Sequence, residues 1–146
     1  MNLKTAARQI AFHATVVLIL GMVAGFFWGM SMGDGYTETR QAAWRLAHIE
    51  GFANGVLMLI VALAYPLINP AGRAELIIRF GIIITGYSNI LATFYGGIFD
   101  ARGLMPNPES TSHDLVVYFG FLPGVVAIIV VLITMAVSFK RPIDSQ

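Results

Sequence analysis

No cysteine occurs in the 146 residues. That removes disulfides, iron–sulfur clusters, thiolate-ligated haem, covalent c-type haem and cysteine zinc sites in one step. Charge is scarce too. Only 12% of the chain is Asp, Glu, Lys or Arg, against about a quarter in an ordinary soluble domain. The formal net charge of +1 provides no basic field, so no nucleic-acid partner is expected. What abounds is apolar: 57% of the residues are hydrophobic and the mean hydropathy is +0.74. These values exclude intrinsic disorder and argue against a soluble globular domain. For metal chemistry there remain His13, His48, His113 and the carboxylates.

The apolar residues arrive in four blocks, from about Ile10 to Met32, Trp44 to Asn69, Leu76 to Phe99 and Leu115 to Phe139. Each is long enough for a hydrocarbon core that takes about 20 residues, and too long and uniform for a strand. The reading is all-α: one integral membrane domain over 1–146, an up-down antiparallel bundle of four transmembrane helices surrounded by lipid. The first block is longer than a signal-peptide core and no small-residue cleavage motif follows, so it is read as a retained span. Gly33-Asp34-Gly35 and Asn69-Pro70-Ala71-Gly72 make short connections, and Arg102 to Asp114, with Pro106 and Pro108, makes the longest loop. His113 falls in that loop. Lys4, Arg8, Arg73, Arg79, Lys140 and Arg141 collect on one side and Arg40, Arg45 and Arg102 on the other. The positive-inside rule then places both termini in the cytoplasm, and a bacterial inner membrane is the expected location.

Polar groups deep in a span are costly and mark candidate sites. His13 and His48 lie near opposite edges, roughly 20 Å apart along the membrane normal, so they do not share one ligand within a chain. On the helix around His48, Gly51, Phe52 and Gly55 stand within about 60° of it. The glycines leave that face bare enough for a flat macrocycle to approach the imidazole. The same Gly51-x-x-x-Gly55 spacing also serves close helix packing, and a membrane histidine can simply bond across helices. Asn54 points about 120° away from His48, so the two face different cavities. In a cyclic oligomer each cavity receives His48 from one copy and Asn54 from its neighbour. Alternatively, Glu50 and Asn54, four residues apart, bond to each other and hide. Thr85, Asn89 and Thr93 form one stripe of the third block, which reads as helix–helix glue or as a site lining. The Asn89 amide needs up to four partners, and Tyr95 stands where a phenol can donate into a pocket.

The run Trp44-Arg45-Leu46-Ala47-His48-Ile49-Glu50-Gly51-Phe52-Ala53-Asn54-Gly55 resembles the second-helix signature of styrene oxide isomerases. Gly86-Tyr87-Ser88-Asn89 and Arg102-Gly103-Leu104 resemble two further family segments, and His13 matches a histidine that opens the family's first helix. The resemblance covers all four blocks in order. It implies a small four-helix membrane protein, assembled as a cyclic homotrimer, that binds haem b through His48, with Asn54 contacting substrate. It further implies a redox-neutral conversion of a small apolar aryl epoxide, such as styrene oxide, to phenylacetaldehyde, with ferric iron acting as a Lewis acid on the epoxide oxygen. On that reading Tyr95 or Thr93 donates a hydrogen bond beside Asn54 and Asn89, Phe52 offers an apolar wall, and Arg45 is the obvious partner of a haem propionate. Two residues depart from the family. Its third-helix tyrosine falls at or near Thr93, whereas this chain has Tyr95, 200° further round the helix. Glu50 stands where the family has no acid. The competing readings are a related haem b protein with another small-molecule substrate, an electron-transfer or sensor protein, and a haem-free membrane scaffold.

Overall fold

The computed structural model describes residues 3–140; Arg141, counted above for orientation, lies outside them. Four helices account for most of the chain: α1 (Leu3–Ser31), α2 (Glu38–Ile68), α3 (Arg73–Phe99) and α4 (Ser112–Phe139). All are long and apolar enough to cross a membrane, and no strand occurs among the described residues. Helices α2 and α4 begin earlier than their apolar blocks because their first turns are polar but capped by side chains. Thr37 caps α2 by accepting the Arg40 amide at 3.1 Å. Thr111 and Asp114 cap α4 reciprocally, side chain to backbone in both directions, which satisfies two amides that would otherwise lack partners. That box starts α4 at Ser112 and draws His113 out of the expected loop into the first helical turn. Asn69 and Asp100 end α2 and α3 in the left-handed conformation, with φ of 43° and 56°, as helix ends commonly do.

Helices α1 and α2 make the closest pair, α4 packs mainly on α3, and α2 joins α3. Glycine sets the first contact. A Cβ on Gly51 would overlap the Gly21 backbone, and one on Gly55 would lie 2.5 Å from the Leu18 side chain. The bare face of α2 is therefore filled by α1, and Gly51 and Gly55 act as packing glycines. Between α2 and α3, Trp44 lies flat against Gly97, where an added Cβ would meet its ring at 2.5 Å, and it is 6% exposed. It is a packing residue, stacked on Phe27 at 4.7 Å and edge-on to Phe94 at 5.3 Å. The main core gathers Ile10, Val17, Met58, Tyr65, Ile78 and Val131.

Several polar side chains inside this apolar frame pair with one another. His13 Nδ1 meets the Tyr87 hydroxyl at 3.0 Å, which makes His13 a link between α1 and α3. Arg79, buried, forms an ion pair with Glu75 at 3.2 Å and donates to Gln9 Oε1 at 3.2 Å. Its charge is neutralised inside the bundle rather than displayed at an edge. Thr85 bonds the carbonyls of Gly81 and, across the α3–α4 contact, Gly124, which is the glue reading of its stripe.

The glycine contact generates a paired expectation. Gly51→Val overpacks the α1–α2 seam and lowers stability by about 1–3 kcal/mol. Gly29→Ala, where an added Cβ meets nothing within 4 Å, is neutral or gains up to about 1 kcal/mol in helix propensity. Unfolding midpoints of the detergent-purified variants in a denaturing-detergent titration check both.

Candidate functional site

His48 sits on α2 in the groove against α1, half-buried. Its Nδ1 lies 2.9 Å from the carbonyl oxygen of Gly21. A carbonyl only accepts, so Nδ1 carries a proton and donates; in the neutral tautomer this selects, the lone pair sits on Nε2. The imidazole has room because α1 carries glycine opposite it: a Cβ on Gly25 would stand 2.6 Å from Nδ1. Trp28 and Phe52 flank the ring, with centroids at 5.9 and 5.1 Å. Trp28 also lines a surface hollow of about 220 Å³ shared with Met32, Glu38, Gln41, Ala42 and Arg45. Arg45 is exposed there, one helical turn from His48. Among the described residues no three His, Asp or Glu side chains form a cage for a bare metal ion. A metal held at His48 would have to bring most of its own ligands, as the iron of a macrocycle does.

Asn54 looks the other way, into the seam between α2 and α3. It is 6% exposed. Its Nδ2 donates to the Glu50 backbone carbonyl at 2.9 Å and to Glu50 Oε2 at 2.7 Å. From α3, Asn89 Nδ2 donates to Asn54 Oδ1 at 3.2 Å and approaches Glu50 Oε2 at 3.4 Å. The Glu50–Asn54 bond considered from spacing is thus present, with Asn89 as a third member. Asn89 Oδ1 is buried and without a partner, and an added Cβ on Gly124 of α4 would lie 2.5 Å from it. A buried amide oxygen without a donor is a costly feature.

The remaining expected site residues are dispersed. Thr93 is buried, and its hydroxyl returns to its own helix at the Asn89 and Ile90 carbonyls, both at 2.9 Å. Helix α3 runs unbroken through residues 93–95, so no irregularity rotates Tyr95 onto the Asn89 stripe. The Tyr95 hydroxyl instead pairs with His113 Nδ1 at 2.8 Å, while Phe99 stacks on His113 at 4.9 Å. Within one chain, then, Asn54, Asn89 and Glu50 come together, and His48, Thr93 and Tyr95 stand apart from them. Reasoning from sequence missed Gly21 and Gly25, whose carbonyl and missing side chain place His48. The signal was there in the spacing Gly21-x-x-x-Gly25-x-x-x-Gly29.

Residues 6–139 match the family model described as styrene oxide isomerase, which spans nearly the whole chain. A comparison with curated proteins returns no match.

The seat of the imidazole can be checked by itself. Gly25→Val pushes the ring off the Gly21 carbonyl. In the parent, ¹⁵N spectra of the labelled histidine ring are expected to show a single Nδ1–H tautomer for His48. In the variant that signal shifts toward a mixture of the two tautomers.

Proposed function

The chain belongs to the styrene oxide isomerase family, and on that premise we propose that it is a haem-dependent membrane isomerase that turns an aryl epoxide into an aldehyde. The observation that carries the haem assignment is the 2.9 Å bond from His48 Nδ1 to Gly21. Such a bond orients the ring, fixes its tautomer and makes the other nitrogen more basic, as partners of metal-bound histidines do. The residues present fit haem b: His48 Nε2 would donate to the iron, Trp28 and Phe52 would supply aromatic surface, and exposed Arg45 would be available to a propionate. No cysteine competes for iron.

Ferric haem b, when bound, supplies a Lewis acid for the epoxide oxygen. The substrate conversion is redox-neutral. The C–O bond at the aryl-bearing carbon breaks, a hydride moves to that carbon from its neighbour, and the aldehyde keeps every atom of the epoxide. The protein's part is to orient and to exclude water. Asn54, with Asn89 behind it, is the polar group assigned to the substrate. The apolar side chains of α1 and α2 keep the surroundings dry and admit an apolar epoxide from the bilayer.

His48 opens toward α1 and Asn54 toward α3, so one chain does not present both to one ligand. We assign an up-down antiparallel bundle and, as the family resemblance implies, a cyclic homotrimer; in such an assembly one copy's His48 and a neighbour's Asn54 complete a shared site. Both termini are placed in the cytoplasm of a bacterial inner membrane, following the basic residues.

Spectroscopy of the detergent-purified protein beside His48→Ala tests the assignment. A Soret band is expected in the parent and lost or strongly weakened in the variant. The parent alone then converts styrene oxide to phenylacetaldehyde. A parent that stays colourless with added hemin overturns the haem reading; a coloured parent that forms no aldehyde overturns the substrate.

A further inference from the structure

Three hydrogen-bond donors converge on the surface hollow beside His48. The hollow, about 220 Å³, is lined by Trp28, Met32, Glu38, Gln41, Ala42 and Arg45. An indole N–H and a guanidinium only donate, and a glutamine amide offers two hydrogens. Among the described residues, the side chains of Trp28, Gln41 and Arg45 have no hydrogen-bond or ion-pair partner. The one acid in the lining is Glu38, exposed in the first turn of α2. The hollow continues the seat of the imidazole. Gln41, Arg45 and His48 fall within about 60° on one face of α2, and Gln41 stands about 10 Å along the helix from His48. Trp28 belongs to both places, since its ring also flanks the imidazole with centroids 5.9 Å apart. In the other direction from His48 this side of α2 is apolar, with Phe52 and Val56 exposed. A charge carried that way would stand unpaired in the span, which is costly. A carboxylate on a ligand of His48 therefore finds its donors at Trp28, Arg45 and Gln41.

We propose that this hollow is a carboxylate site for the haem propionates, in which the Trp28 indole N–H and the Gln41 amide act beside Arg45. The inference rests on the haem reading of His48 and adds two neutral donors to the single cation assigned so far. Hydrogen bonds to an ionised acceptor are the stronger kind, so each donor counts. Trp28 has a double part, with its face beside the imidazole and its N–H for the carboxylate. Glu38 opposes the charge of the ligand, weakly, because solvent screens an exposed acid. Removing the Glu38 charge therefore strengthens binding, a sign that a patch without a bound anion would not give. A lipid phosphate shares this oxyanion chemistry, and the choice of porphyrin separates the two.

The test titrates the full chain, purified in detergent and freed of haem, with hemin and with hemin dimethyl ester, which has no free acid. The Soret band reports binding. The parent is expected to bind hemin about tenfold more tightly than the ester. Trp28→Phe keeps a ring and removes the N–H, Gln41→Leu removes the amide, and Arg45→Gln removes the charge. Each is expected to lower the preference for hemin about threefold or more and to leave ester binding near the parent value. Arg45→Lys keeps part of the preference. Glu38→Gln raises hemin affinity about twofold without changing that of the ester. Should Trp28→Phe lose the ester as well, Gln41→Leu and Arg45→Gln decide the assignment. An unchanged preference in Gln41→Leu and Trp28→Phe overturns the part given to the neutral donors. Equal binding of both porphyrins by the parent overturns the propionate site, leaves the hollow to a lipid phosphate, and leaves haem at His48 standing. No Soret shift with either porphyrin overturns the haem reading itself, and the propionate site with it.

Discussion

The arrangement depends on how closely α1 can approach α2. At Gly21 and Gly51 the two backbones touch, and any side chain at either position would have to displace the other helix. In a bilayer the hydrophobic effect does not press helices together, so close backbone approach and its dispersion gain do that work. The same approach brings the Gly21 carbonyl within 2.9 Å of His48 Nδ1. One contact thus packs the bundle and aims the residue assigned to the cofactor. A looser seam would leave the imidazole free to rotate, and a histidine with no fixed tautomer would hold a metal less well.

Polar groups follow a consistent economy. A span offers no water, so each buried donor or acceptor needs a protein partner. His13 has Tyr87, Arg79 has Glu75 and Gln9, Thr85 has Gly124, and Asn54 has Glu50. The links from His13 to Tyr87, Arg79 to Gln9 and Thr85 to Gly124 join different helices, whereas Arg79–Glu75 and Asn54–Glu50 stay within one. Asn89 Oδ1 departs from the pattern, within the network that joins Glu50, Asn54 and Asn89.

The family match covers residues 6–139, and with them all of the helix that carries Arg45, His48 and Asn54. Tyr95 stacks with Phe99 and bonds His113 in a separate aromatic group at one end of α3 and α4. With the helix unbroken, a two-residue offset is enough to send a side chain to a different neighbour.

The sequence by itself determined the four apolar helices, the absence of sulfur ligands, and the opposite facing of His48 and Asn54. These follow from composition and from the 3.6-residue period, which act along one chain segment at a time. The family was legible too, since its motif lies within twelve consecutive residues, Trp44 to Gly55. Other features appeared only in the tertiary structure. Spacing allowed Gly51 and Gly55 to face either a macrocycle or a helix, and α1 took that place. Polar first turns hid the true helix starts, so His113 moved from loop to helix. Gly21, Gly25 and Gly124 matter for what stands opposite them, which is a property of a second helix. Whether an amide presents its nitrogen or its oxygen is decided by partners up to 39 residues away, as for Glu50 and Asn89, and no local pattern carries that information.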